Sequence, residues 1–372
     1  MMEYTTSAES EALVESARRL VRERYDYTKQ RAQPTDGVGF SRAQWREFAD
    51  LGWLGTSVSE AGGGLGLPHA VLAALATALG PAAMREPFVS QIACGGHVLD
   101  QASPSALRDA VLAQWLAGET LLALAVDDAD EPTVYEHAAE GYRLRGTKFA
   151  VVDGACADYF IVSARPCDED VRALFLVPAR AAGIECRAHV ACDGRLLADL
   201  GIGSVIVAAA ARLECVVEQV LGEAAALYAL LLAAESLGIM QTLVPMTTAY
   251  LAERRQFGRP LIEFQVLQHR LADMHIACVR AESAHLLARF KCDELGLIAA
   301  GAEIAIAKAL VGQCGRAVGQ QAVQLHGGIG MTEDLVVGHY LKRLVANELL
   351  GGSTQFQLED AARLRGVVAS PL

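Results

Sequence analysis

The chain has nine cysteines, Cys94, Cys156, Cys167, Cys186, Cys192, Cys215, Cys278, Cys292 and Cys314, but no C-x-x-C pair. An odd count without metal-type spacing argues against a disulfide framework or a zinc centre, and for reduced thiols in a cytoplasmic protein. Positive charge is also short: 32 Lys and Arg stand against 44 Asp and Glu, a formal net charge of −12. That field disfavours a nucleic-acid backbone or an anionic membrane as the main partner. The most apolar stretch, Leu227 to Met240, is interrupted by Glu235. It falls short of the roughly 20 residues that cross a bilayer and reads as a buried helix. The start, Met1-Met2-Glu3-Tyr4-Thr5-Thr6, lacks the basic and apolar regions of a secretory signal.

What is present is a large apolar content. Hydrophobic residues make up 52% of the 372 and charged residues 20%, which excludes a disordered chain and predicts two or three structural units. From about Ser7 to Gly118 the pattern is helical. Leu13, Ala17, Leu20 and Val21 share one helical face. Ser41 and Gln44 form a capping box ahead of Trp45, Phe48 and Leu51, and Gly52 ends that helix. The Gly-rich loop Glu60 to Pro68 opens an Ala/Leu helix that runs to Gly80-Pro81, and another helix covers Ser105 to Leu116.

Short apolar runs then alternate with turns: Leu121–Val126, Tyr142–Phe149, Tyr159–Val162, Ala173–Val177 and Val205–Val207. They predict a small β-barrel or sandwich. Four long segments follow, Glu223–Phe257, Leu261–Leu295, Ile298–His326 and Thr332–Leu349, with the signature of an antiparallel bundle. The expected fold class is α+β. An N-terminal helical domain spans residues 1–118, a middle β-barrel 119–221 and a C-terminal four-helix bundle 222–372.

Two C-terminal segments have the chemistry of a diphosphate site. In Arg254-Arg255-Gln256-Phe257-Gly258-Arg259-Pro260, Arg254 offers a planar, permanently charged fork to phosphate oxygens. In Gln324-Leu325-His326-Gly327-Gly328-Ile329-Gly330, Gln324 can donate from its amide. Gly327 and Gly328 have no Cβ, so their backbone can approach an anion. Read singly, an Arg on a bundle helix is a solvated charge and a Gly-Gly pair is a helix cap. Phe257 either packs on an adenine or fills the core. His326 and His339 are available for acid–base work, although a histidine in a helical domain is more often structural.

Together with the helix–strand–helix order, the 60–68 loop and the hairpin Gly141 to Lys148, these segments resemble the acyl-CoA dehydrogenase family over essentially the whole chain. The resemblance implies FAD-dependent α,β-dehydrogenation of an acyl-CoA, with electron-transfer flavoprotein or a similar acceptor. It assigns Arg254, Phe257, Gln324, Gly327, Gly328 and Ser353 to cofactor binding. In that family the loop equivalent to Leu350-Gly351-Gly352-Ser353-Thr354 carries the Glu that removes the α-proton, and here its position is Gly351. An alternative base position falls at Tyr228, whose phenol, with an ordinary pKa near ~10, is a poor base at neutral pH. The flavin-lining segment of the middle domain would fall at Val126 to Thr133, an acidic run that suits a solvated loop. Val152 stands where a Thr contacts flavin N5.

This asymmetry resembles the base-lacking small subunits of heteromeric acyl-CoA dehydrogenases of the pimeloyl-CoA and steroid-degrading types. It implies an α2β2 assembly in which a larger subunit holds the base and the FAD is shared at the interface. Two other readings stand beside it. One is a self-sufficient homomer with a displaced base, Glu348 or Glu235. In that case the bland alternatives are a surface or capping charge for Glu348 and a polar pairing within the bundle for Glu235. The other is a non-catalytic helical scaffold on the same fold.

Overall fold

The computed structural model describes residues 7–25, 39–129, 131–167 and 171–367. The first six residues and Asp130 of the acidic run, on which expectations above bear, lie outside the described residues. Two compact units emerge: Met1–Ala32 with Pro68–Met84 and Ala226–Leu372, and Gln33–Leu67 with Arg85–Ala225.

The second unit opens with α2 (Arg42–Asp50), where Ser41 Oγ accepts the Gln44 amide at 3.4 Å, the backbone half of a capping box. Trp45 and Phe48 face inward, and Gly52 takes φ +77° just beyond the helix. A helix over residues 88–101 (α4) contains a π-helical stretch, Gln91–Gly96, which the residue pattern did not reveal. Buried Gln91 bonds Leu122 N and O and the Trp115 indole, fastening this turn to α5 (Ala106–Leu116) and to the sheet.

The strands are β1 (Leu122–Ala125), β2 (Val134–Ala138), β3 (Gly141–Val152), β4 (Tyr159–Pro166), β5 (Ala173–Pro178), β6 (Ile184–Val190), β7 (Leu196–Ala208) and β8 (Arg212–Leu213). They form one mixed sheet in the order β6-β7-β3-β2-β4-β5-β8, with β1 parallel to β4. Among the described residues, a two-residue parallel pairing of β2 with β4 joins its halves. Both halves face a single core built on Leu144, Phe160, Phe175, Leu200 and Val205.

The first unit contains α1 (Ala8–Arg24), α3 (His69–Leu79) and most of α6 (Val217–Glu253). The short hairpin β9 (Arg255–Gln256) and β10 (Arg259–Pro260) is followed by α7 (Gln265–Leu295), α8 (Gly301–His326), α9 (Val336–Leu349) and α10 (Thr354–Leu364). The buried face of α1 is Ser10, Val14, Ala17 and Leu20, one position rotated from the expected stripe at Leu13. The expected first bundle helix starts earlier, at Val217, and stops before Arg254, because the hairpin takes over. The fifth helix, α10, was not anticipated. Leu237, Met240, Leu243, Met274, Val318, Val337 and Leu344 form the bundle core. Gly80 and Gly238 let α3 and α6 touch by backbone: a Cβ on Gly238 would sit 2.0 Å from the Thr77 carbonyl oxygen. By length and composition α6 is long and apolar enough to cross a membrane, longer than the stretch read from the residues, but 83% of its apolar window is buried inside the protein.

Candidate functional site

At the end of α6 the chain turns sharply. Arg255 pairs with Pro260 and Gln256 with Arg259, leaving Phe257 and Gly258 as a two-residue loop. Both take positive φ, +54° and +80°, as a primed hairpin turn requires. Gly258 suits this, whereas a Phe there is a conformational outlier. Phe257 is thrust outward and 91% exposed, with an edge contact to Phe264 at 6.1 Å. It does not fill the core. Arg254 is exposed and forms no side-chain hydrogen bond or ion pair among the described residues.

The second element meets the first here. Tyr250, one turn before Arg254, donates to the His326 carbonyl at 3.2 Å and stacks on the His326 ring at 4.5 Å. The contact joins the end of α6, which leads into Arg254, to the end of α8, which carries Gln324 and leads into Gly327 and Gly328. Gln324 is exposed. The Gly327 N–H caps α8 by bonding the Val323 and Gln324 carbonyls, so this amide is not free for an anion as the sequence suggested. A Cβ on either glycine would meet no atom within 4 Å, which leaves the turn open to a ligand.

His326 itself is structural. It is buried and its Nδ1 lies 2.8 Å from the Ala322 carbonyl. Burial lowers its pKa from the ordinary value, with the Ala322 bond acting in the opposite sense. His339 lies 3.1 Å from the largely exposed Glu333 carboxylate, as a surface pair.

The loop after α9 is tied by its carbonyls. Lys308 Nζ reaches the Asn347, Glu348 and Gly352 carbonyls at 2.7, 3.2 and 3.4 Å, placing a cation at a helix C-terminus. Gln357 Nε2 donates to the Gly351 carbonyl at 2.5 Å. Ser353 is the N-cap of α10, with its Oγ accepting the Phe356 amide at 3.3 Å. Gly351 has φ +66°, and a Cβ there would point at α6, 3.2 Å from Leu232 Cδ1 and 3.3 Å from Tyr228 Cδ1. The two positions considered for a base therefore face one another across one gap, and an apolar wall fills it.

The carboxylates nearby point elsewhere. Glu348 pairs with Arg316 and accepts from Thr354 Oγ1 at 2.9 Å. The bland alternative for it is a surface or capping charge; the side chain is buried, because Gly312 of α8 makes room: a Cβ there would lie 2.8 Å from Glu348 Cγ. Glu235 accepts from Asn347 Nδ2 at 2.8 Å and lies 3.8 Å from Arg343 Nε, a polar pairing inside the bundle.

In the other unit, Asp127 and Asp128 are exposed, yet the segment is not a loose loop. The buried Lys148 ammonium bonds Asp128 Oδ1 at 2.7 Å, Val126 O at 2.9 Å and Ser163 Oγ at 3.1 Å, and Asp128 forms a β-bridge to Lys148. Burial alone would raise the Asp128 carboxyl, but the bonds from Lys148 and Thr133 outweigh it and hold the pKa below normal. Val152 ends β3 past a register shift, between Ala150 at φ +48° and Asp153 at φ +58°.

Two models of one family cover most of the chain: the acyl-CoA dehydrogenase N-terminal domain over residues 7–119 and its C-terminal domain over 219–364. The chain belongs to the acyl-CoA dehydrogenase family. Acyl-CoA dehydrogenases are flavin-dependent oxidoreductases of CH–CH bonds that use FAD. This member is 28% identical over 331 residues to the acyl-CoA dehydrogenase FadE27 of Mycobacterium tuberculosis, covering 85% of this chain and 86% of that one. It is 26% identical over 375 residues to benzylmalonyl-CoA dehydrogenase of Aromatoleum aromaticum, covering 95% and 96%. Among solved structures, the ChsE4-ChsE5 complex from Mycobacterium tuberculosis matches with a TM-score of 0.88 and 26% identity over the full length of both chains. The complex of PigA with FAD and proline has the same fold, with a TM-score of 0.88 at 21% identity over 98% of this chain and all of that one.

As a site for FAD, the family member's residues fit unevenly. The exposed Arg254 fork, Gln324 and the open Gly327–Gly328 turn suit an adenosine diphosphate. Neither Gly351 nor Val152 supplies a proton acceptor or a hydroxyl.

Proposed function

We propose that this chain is the base-lacking subunit of a heteromeric FAD-dependent acyl-CoA dehydrogenase of the α2β2 type, with FAD shared between it and a larger subunit. The observation that carries this is the gap between Gly351 and α6, where Tyr228 and Leu232 stand and no carboxylate points. The engagement of Glu348 by Arg316 and Thr354, and of Glu235 by Asn347 and Arg343, favours this reading over a displaced base. The exposure of Arg254 and Phe257 favours it over a retired scaffold, since both side chains lack a partner within their own chain large enough to cover them.

In this reading Arg254 holds the diphosphate of FAD as a charge-assisted fork. Gln324 donates to the same group, Gly327 and Gly328 keep side chains out of its way, and Phe257 covers the adenine. Ser353 acts through the loop backbone, by capping α10. Bound there, FAD would supply the acceptor for the β-hydride, while the base for the α-proton and most of the acyl pocket would come from the larger subunit. The acceptor that would reoxidise it is electron-transfer flavoprotein or a similar protein. The similarity to the ChsE4-ChsE5 complex supports a heteromer, and that to a two-chain steroid acyl-CoA dehydrogenase, Tcur3481-Tcur3483, at 25% identity, favours a steroid side-chain acyl-CoA over a dicarboxylyl-CoA.

The test is purification of the chain alone and together with the acyl-CoA dehydrogenase encoded beside it. The complex is expected to carry one FAD per pair of unlike chains and to bleach with an acyl-CoA. Stoichiometric flavin on the chain alone, reduced by an acyl-CoA, would sink the proposal.

A further inference from the structure

One side chain touches both ends of the segment pair read above as a diphosphate site. Tyr250 lies one turn before Arg254, and its carbonyl accepts the Arg254 N–H at 2.9 Å. The Leu261 N–H bonds the Arg254 carbonyl at 2.8 Å. The backbone of this arginine is therefore held at both of its polar groups, while its side chain is exposed.

The same tyrosine reaches the other segment. Its ring lies on the His326 ring, with centroids 4.5 Å apart and planes 27° from parallel. Its hydroxyl donates to the His326 carbonyl at 3.2 Å. His326 is the final residue of α8, where carbonyls have no partner further along the helix, so the phenol satisfies an acceptor that the fold leaves open. His326 is itself fixed by the bond of its Nδ1 to the Ala322 carbonyl, and burial, which lowers its pKa, keeps the ring uncharged. Gly327 follows directly. Beyond it the turn folds back on α8: a Cβ on Gly330 would lie 2.8 Å from the Val323 carbonyl oxygen. Thr332 Oγ1 donates to the Ile329 carbonyl at 2.8 Å. The turn is thus braced internally, and the Tyr250 contact ties it to the end of α6.

We propose that Tyr250 is a positioning residue for the flavin diphosphate. Its backbone places Arg254, its ring and hydroxyl place the residue from which the Gly327–Gly328 turn springs, and together they set the separation between the two. The inference rests on the reading of Arg254 and this turn as the FAD site. Tyr250 contacts no cofactor atom in this role. An arginine fork and an opposing turn hold one diphosphate well only when both reach it at once, so a helix end free to shift against the turn loses affinity while keeping every group that binds.

A double-variant cycle read as ligand affinity tests this. The flavin-containing assembly is stripped of flavin, titrated with FAD by fluorescence quenching, and titrated with ADP in competition. Tyr250→Leu should weaken both ligands about tenfold, the scale of one hydrogen bond to a charged group; Tyr250→Phe, which loses only the hydroxyl, should weaken them about threefold. In an Arg254→Ala background each change should cost no more than about twofold further, because the group whose place Tyr250 sets is gone. Denaturant unfolding of the same variants reads bundle packing separately. Full additivity of the Tyr250 and Arg254 changes, or FAD and ADP affinities unchanged in both Tyr250 variants, overturns the inference. The phenylalanine variant removes no packing, so its result stands alone if the leucine variant does not fold. An Arg254→Ala variant that binds FAD and ADP as tightly as the unsubstituted protein would overturn the reading of the site as well, whereas a normal Arg254 effect with additive Tyr250 effects would overturn this inference alone.

Discussion

Single positions decide what this acyl-CoA dehydrogenase can do at its own loop. Gly351 combines φ +66° with an apolar wall 3.2–3.3 Å from where its Cβ would lie. A non-glycine residue in that conformation costs about 1–2 kcal/mol before any clash. Gly351→Glu is therefore expected to lower the melting temperature and to leave the isolated chain inactive, as differential scanning and an acyl-CoA dye-reduction assay would read. Turnover at the level of a complete dehydrogenase would contradict this. Arg254 and Phe257 present the opposite case: both are exposed, and Phe257 touches Phe264 by an edge contact. Arg254→Ala and Phe257→Ala should change stability by no more than about 0.5 kcal/mol. Both should weaken flavin retention by the assembled complex, seen as a lower ratio of 450 nm to 280 nm absorbance after gel filtration.

Between elements, the contacts that matter are buried and polar. Glu235 on α6 meets Asn347 and Arg343 on α9, while Asn347 also donates to Ser236 Oγ at 3.1 Å. Removing the carboxylate takes one acceptor away from a buried guanidinium and a buried amide that keep their other bonds, which costs about 1–3 kcal/mol. Glu235→Ala should lower the unfolding free energy read from denaturant titration by that amount, and Glu235→Gln, which keeps an acceptor for Asn347, by clearly less. If both variants lost flavin reduction in the complex with stability unchanged, Glu235 would be a catalytic group and not a link between helices.

At the scale of the whole molecule, His285 contributes to acid stability. It is fully buried, its Nε2 lies 3.2 Å from the Leu230 carbonyl, and burial first, then the nearby Arg289, push its pKa down to about 3. Above the unfolded-state value of about 6.5 neither state binds this proton, so pH has no effect through it. Between about 6.5 and 3 the unfolded chain binds a proton that the native chain refuses, so stability falls as pH falls, by up to about 1.4 kcal/mol per pH unit. His285→Gln, which keeps a donor for Leu230, should flatten this acid limb in urea titrations between pH 4 and 7. An unchanged slope would place the titrating group elsewhere.

Alternation and periodicity, which survive in any local window, made the helix–strand–helix order, the Ser41 cap and the Gly52 stop legible in the residues alone. The absence of a carboxylate at positions 351 and 228 was equally plain, because composition at a position needs no coordinates. Only the tertiary structure could decide where side chains point. It turned Phe257 out of the core by a primed turn, gave the Gly327 amide and the Ser353 hydroxyl to helix caps, and buried Glu348 against Arg316. Each of these depends on contacts between segments tens of residues apart, whose loop-closure and packing energies no local pattern records.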